Sequence, residues 1–268
     1  MTSYRFRALF ASVIIAGSTA ATAKEITPMT PTDEWKMTVA PYIWAINMTG
    51  DQTSGNYRTN VNESFSDILQ HLHFGGMVWV DVTNGKFQAF LNDVYAILDF
   101  NSQYGPASID AQNRFGILSG GISYQVYKYC FGNSPLNNTS FFAIEPYAGF
   151  RYTENDTTIR INSGATHVKI VSNQYWTDPI IGARLRFNFS KAWALILAGD
   201  IGGVNTSSQY SYNVQGVLGY SPQTIFTNTT LYLGYRLLDQ HYTNGEGLKY
   251  FGWDMKLYGP MIGAAFTF

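Results

Sequence analysis

The chain has one cysteine, Cys130, in 268 residues. That excludes an internal disulfide and any metal site built from several thiolates. Charge is scarce too: Asp, Glu, Lys and Arg make up 13% of the residues, about half the usual ~25%. Neither sign is in surplus, with 17 Lys plus Arg against 18 Asp plus Glu. Nucleic-acid binders neutralise phosphates with a basic excess, so nucleic acid is excluded as a partner. Past the N-terminal segment there is no run of about 18 apolar residues, so a helical membrane span is excluded. No Ser-His-Asp arrangement or phosphate-binding glycine loop is recognisable, and no cofactor is expected.

Aromatic residues are abundant, at 16%, with 19 Tyr, and there are 25 Gly. Low charge with many aromatics suits a wall that faces lipid and carries an aromatic girdle at each interface. The last residues show how such a wall is written. Tyr258, Pro260, Ile262, Ala264, Phe266 and Phe268 alternate with Gly259, Met261, Gly263, Ala265 and Thr267, a period of two that ends on an aromatic. At the other end, Arg5 and Arg7 precede an apolar run over residues 8–16 and small residues closing in Ala21-Thr22-Ala23. This reads as a signal peptide over residues 1–23, with a core too short to span a bilayer and a mature chain from Lys24.

Ten segments are long enough to cross a membrane as tilted strands, for which about 9 to 11 residues suffice. They cover 35–49, 73–83, 86–100, 110–129, 140–160, 167–189, 192–203, 209–220, 225–242 and 248–268. Tight turns at Thr83-Asn84-Gly85-Lys86, Asn188-Phe189-Ser190-Lys191 and Tyr220-Ser221-Pro222-Gln223 all fall on one rim when the strand number is even. The same rim then holds both termini. The expected fold is all-β: one closed antiparallel transmembrane β-barrel of about ten strands, with eight and twelve as the neighbouring alternatives.

Alternation fixes the faces. A charge on the lipid face costs about 2 to 4 kcal/mol near the midplane, so charged residues on these strands point inward. The expected lumen set is Asp93, Glu145, Asp178 and Asp200 against Arg151, Arg184, Arg186 and Arg236. Four acids balance four bases, whereas a selective pore usually carries one dominant sign at its constriction. A ten-stranded barrel is narrow, and an unpaired buried ion costs several kcal/mol. A lumen closed by salt bridges is therefore favoured over a porin-like channel for small solutes.

The longest connection, residues 50–72, carries one helix signal. Phe65, Ile68, Leu69 and Leu72 fall at i, i+3, i+4 and i+7, with Ser64 and Asp67 at capping-box spacing. So short a helix needs a surface to pack on, and a lid over the barrel mouth is its expected use, beside a plain packed loop. His71-Leu72-His73 offers two imidazoles, but zinc needs three or four ligands, and no metal is expected. Asp239-Gln240-His241 resembles the acid–histidine pairs of omptin-type proteases. Inward Arg236 and Gln240 turn Asp239 and His241 away from the lumen, so no enzyme is expected.

Pieces along most of the chain carry a family resemblance: Pro41-Tyr42-Ile43-Trp44, Ser64-Phe65-Ser66-Asp67-Ile68-Leu69, Trp176-Thr177-Asp178-Pro179-Ile180-Ile181-Gly182-Ala183-Arg184, Gly199-Asp200-Ile201-Gly202-Gly203, Leu233-Gly234-Tyr235-Arg236-Leu237-Leu238 and Gly259-Pro260-Met261-Ile262-Gly263. The chain resembles bacterial outer-membrane β-barrel proteins of unassigned function. It departs from them at Lys191-Ala192-Trp193 and the Pro222 turn, which lack the usual acidic and arginine residues. The resemblance implies outer-membrane lipid as surroundings and barrel-assembly machinery as a partner, with Phe266 and Phe268 as the assembly signal. It leaves two roles open: a structural or cell-surface part played through the outer loops, and a porin-like channel.

Overall fold

The computed structural model describes residues 34–105, 107–131, 140–164, 166–204, 208–222 and 228–268. The leader expected over residues 1–23 lies outside them. The elements are β1 (Lys36–Trp44), β2 (Asn47–Ser54), β3 (Tyr57–Glu63), α1 (Phe65–Gln70), β4 (Leu72–Thr83), β5 (Phe87–Tyr104), β6 (Ala107–Tyr124), β7 (Tyr127–Cys130), β8 (Phe141–Ser163), β9 (Thr166–Asn188), β10 (Trp193–Gly202), β11 (Tyr210–Tyr220), β12 (Thr229–Asn244) and β13 (Phe251–Thr267).

Antiparallel neighbours run β1-β4-β5-β6-β8-β9-β10-β11-β12-β13, and β13 returns to β1. The pairs Thr38↔Thr267 and Ile43↔Ile262 close the ring, so the fold is a ten-stranded barrel as the alternation predicts. Closure leaves no free edge at this height, which lets every backbone polar group pair without water. Three further strands attach to the ten. β2 carries on from β1 past a break at Ala45–Ile46, still paired with β13. β7 carries on from β6 along β8, and β3 folds back on β2.

The expected loop over residues 50–72 is thus half hairpin. Gly55, at φ +59°, supplies a left-handed turn conformation that costs other residues strain. The polar sequence of this stretch hides the strands, because neither face is buried. The helix that follows is α1, one residue past Ser64.

The rim away from the termini also departs from expectation. The strands expected to end at residues 100 and 160 and to resume at 110 and 167 run on further, until Tyr104 pairs with Ala107 and Ser163 with Thr166. Gly105 and Gly164 sit at φ +59° and +56° there. β5, β6, β8 and β9 therefore stand well above their neighbours, while β10 and β11 stop short.

Outward-facing positions are apolar and exposed, among them Ile43, Ile122, Ile181, Leu197, Leu233 and Ile262. Near the rim with the termini, aromatic pairs encircle the wall: Phe87–Tyr124, Phe142–Phe187 and Trp193–Tyr220, with ring centroids 4.7, 4.8 and 4.8 Å apart. Phe74–Tyr95 and Tyr210–Tyr212 mark a second level further up.

Candidate functional site in the barrel interior

The interior is built in layers. In the lowest, Glu145 takes Arg184 Nη1 at 3.3 Å and Arg186 Nε at 3.3 Å. Arg184 also donates to Gln88 Oε1, which accepts from Ser123 Oγ as well. The Arg184 guanidinium lies 5.5 Å from the Trp79 ring centre and 5.8 Å from that of Phe90, so its faces meet aromatics while its edge meets acceptors.

Above this, Arg151 Nη2 meets Asp200 Oδ1 at 2.5 Å and its Nη1 donates to Ser211 Oγ. Tyr147 Oη and Asn213 Nδ2 both donate to Asp200 Oδ2 at 2.9 Å. Arg236 donates to Asn213 Oδ1 at 2.8 Å and to Asn92 Oδ1 at 3.0 Å. Asn92 in turn donates to Tyr42 Oη at 2.8 Å. The network thus links β1, β5, β8, β10, β11 and β12 across the lumen.

The upper interior is apolar. Trp44, Phe115, Ile117, Trp176, Leu238, Tyr242, Phe251, Trp253, Met255 and Leu257 form one buried cluster, with Trp176 stacked on Tyr242 at 4.3 Å. Two polar groups border it: Asp178 Oδ1 accepts the Ser208 N–H at 3.0 Å, and Gln240 Nε2 donates to Thr153 Oγ1 at 3.0 Å.

Of the eight charged residues expected in the lumen, Glu145, Arg151, Asp178, Arg184, Asp200 and Arg236 are buried there, and Arg186 is half-buried at its lower end. Asp93 is the correction. Asn92 and Val94 are the buried, inward positions of β5, so Asp93 shares the outer face with Leu91 and Tyr95. β5 sets polar Asn92 and Asp93 side by side on opposite faces, so its alternation carries no unambiguous phase. The fourth inward acid is Asp81, whose Oδ1 accepts the Trp79 indole N–H at 2.8 Å. Its signal was present: Val78, Val80 and Val82 form an outward row that places Trp79, Asp81 and Thr83 inside.

The ion pairs of the interior are not one to one. Two arginines share Glu145, Arg151 goes to Asp200 rather than to Asp178 directly across the ladder, and Arg236 meets amides and the Trp44 ring at 4.7 Å. Gln88, Asn92 and Asn213 make this possible by accepting from arginine without adding charge. Neutral amides on a strand give no warning in sequence, because either face tolerates them near a rim.

At the upper mouth, α1 carries the expected cap. Ser64 N and Ser64 Oγ donate to Asp67 Oδ2 at 3.0 and 2.6 Å, and Asp67 N returns a bond to Ser64 Oγ. These bonds, the hydroxyl's first, hold the Asp67 carboxyl below its ordinary range. Asn47 Oδ1 accepts the Phe65 N–H, and Ile68 packs on the buried cluster. Phe65 and Leu72 are half-buried, whereas Leu69 is exposed. Of the histidines, His71 stacks on Phe100 and His73 lies 3.3 Å from Asp99. His241 and Asp239 are on the outer face: His241 is 3.7 Å from Asp254, and Asp239 accepts from Tyr212 Oη at 2.8 Å.

No protein-family model and no curated protein matches the sequence. Among solved structures, the outer membrane protease OmpT of Escherichia coli matches with a TM-score of 0.52 at 8% identity, over 88% of this chain and 98% of that one. The attachment invasion locus protein Ail of Yersinia pestis matches with a TM-score of 0.32 at 10% identity, over 88% and 100%. A Pseudomonas aeruginosa FadL homologue gives 0.32 at 8%, over 87% and 90%. The chain has the fold of bacterial outer-membrane β-barrel proteins.

Proposed function

We propose that the protein resides in a bacterial outer membrane and serves a structural or cell-surface role through its upper rim, with a lumen that does not conduct. The leader over residues 1–23 is removed on export. The termini and tight turns face the periplasm, and the tall strands and α1 face outward. Phe266 and Phe268, exposed near the lower rim, act as the assembly signal. The outward apolar faces and the two aromatic levels support the membrane placement.

One observation carries the closed-lumen reading: the side chains crossing the interior at mid-height are buried to the last few percent, Arg151 at 1%, Asp178 at 0%, Arg236 at 4% and Trp44 at 0%. A water-filled channel wets its lining. Here arginine heads, amides and indoles occupy the cross-section, and Ile68 of α1 covers the cluster as a lid. The balanced charge leaves no field to select an ion.

Single-channel recording of refolded protein lacking residues 1–23 tests this. The expected result is silence from protein whose folding is verified by heat-modifiable gel migration. Steps that scale with salt in the wild type would replace this reading with a porin-like one. Arg184→Ala or Asp178→Ala separates a plug from a pore: removing a plug member opens conductance, whereas removing a pore charge shifts ion selectivity.

A further inference from the structure

β9 pairs with β10 only from Ile180 downward, yet it continues to Thr166 alongside β8. Among the described residues, nothing pairs with the far edge of residues 166–176. Of the described residues that follow β10, Gly203 and Ser208 meet β9 at its base, through the Gly203 N–H on the Pro179 carbonyl and the Ser208 N–H on Asp178. An unpaired strand edge offers a row of N–H and C=O groups to another chain. Other proteins blunt such edges, and so does this one elsewhere: β3 is seven residues long and carries Arg58 and Glu63. The β9 edge has no proline and no acid between 166 and 176. Its centre is β-branched, with Val168, Ile170 and Val171 all exposed.

The charge on this edge is one-sided. Lys169 stands directly across the ladder from Arg160, both are exposed, and His167 lies two residues along on the same outer face. Like charges directly opposite destabilise a sheet pair; Asp110 stands across from Arg160 on its other side, whereas Lys169 has only Arg160 opposite, and among the described residues neither cation has a carboxylate within ion-pair distance. A strand added at this edge with an acid opposite Lys169 relieves that repulsion, and an apolar residue between acids covers Val168 and Ile170 on the inner face.

We propose that the β9 edge is a strand-addition site for an extended segment of another protein that alternates acidic and β-branched residues. This rests on the proposed orientation for its access to the cell exterior, but the binding chemistry itself does not. A second copy of the chain does not fit. In the same membrane it is related by an axis along the normal, so the two edges run the same way and cross at about 80°, twice the usual tilt of roughly 40°. It also presents the same cations.

The test uses refolded protein in detergent micelles and a fluorescent octapeptide alternating glutamate with valine and isoleucine. Anisotropy is expected to show saturable binding, with the lysine-for-glutamate peptide binding at least threefold more weakly. Lys169→Glu, with folding checked by heat-modifiable migration, reverses that preference. Peptides N-methylated at alternate amides, in the two complementary registers, test the ladder without altering the protein: one register loses binding and the other keeps it. No binding of the glutamate peptide, an unchanged preference in Lys169→Glu, or equal binding by both methylated registers overturns the proposal. Failure of the orientation alone shows instead as protection of an Ile170→Cys label on intact cells while micelle binding persists.

Discussion

Arg151 and Asp200, on β8 and β10, form an ion pair inside the barrel, 2.5 Å between Nη2 and Oδ1 with side chains 1% and 3% exposed. The two strands are separated by β9, so the pair bridges β9 inside the lumen at mid-height rather than following a ladder. Asp200 is further held by Tyr147 and Asn213 on its second oxygen. Breaking a buried pair from one side leaves an uncompensated charge, at about 3 to 5 kcal/mol. Asp200→Ala is therefore expected to lower the urea midpoint of the folded form strongly. Arg151→Met with Asp200→Leu recovers most of the loss, because an apolar replacement of both partners strands no charge. Urea titration followed by gel migration separates the single from the double variant.

Arg236 makes a different demand. Its planar fork serves Asn213 and Asn92 while its face lies over Trp44. Lysine keeps the charge but loses the fork and the stacking. Arg236→Lys is expected to destabilise by about 2 kcal/mol and to change the tryptophan fluorescence. Equal urea midpoints for lysine variant and wild type would show that charge alone holds this layer.

Much of the barrel was legible in the sequence, because an apolar outer face and a packed lumen with buried charges impose a period of two. Residues 178–188 show it best: every charge falls on one face, and the structure places Arg184 and Arg186 there. Legibility ends where that contrast ends. Asp93 follows Asn92, so β5 carries a polar residue on each face at that height, and the β2–β3 hairpin is polar on both. The lumen's connectivity was not legible at all. Which acid Arg151 chooses depends on barrel width and strand stagger, so the neighbour across the ladder, Asp178, loses to Asp200 one strand further away.

Glycines on β6 and β8 leave no room for a Cβ. A Cβ on Gly149 would collide with the Gly120 carbonyl oxygen, and one on Gly121 with that of Ala148. Backbone on both sides of the clash cannot give way without breaking the ladder. Gly149→Ala is expected to cost about 1 to 3 kcal/mol and to reduce refolding yield. Gly76→Ala, on β4, meets nothing within 4 Å and is expected to be neutral. Paired refolding trials in the same lipid compare the two.

The α1 cap is expected to loosen in acid. Asp67 is held below its ordinary value first by the Ser64 hydroxyl and then by the Ser64 N–H, so the folded cap prefers the ionised carboxylate. A depressed folded value means that the stabilisation is complete above the unfolded carboxylate value. It fades as pH falls through the lower folded one. The window is therefore the acid side of about pH 4, with no change expected between pH 5 and 8 from this group. Amide exchange of residues 65–70 reads it directly: protection drops in that window while the barrel strands stay protected. Ser64→Ala removes both the hydroxyl that Asp67 accepts from and the acceptor for the Asp67 N–H. It is expected to lower protection at neutral pH and to flatten the acid response. Persistent protection at low pH in the wild type would mean that Ile68 against the buried cluster, and not the cap, holds α1 in place.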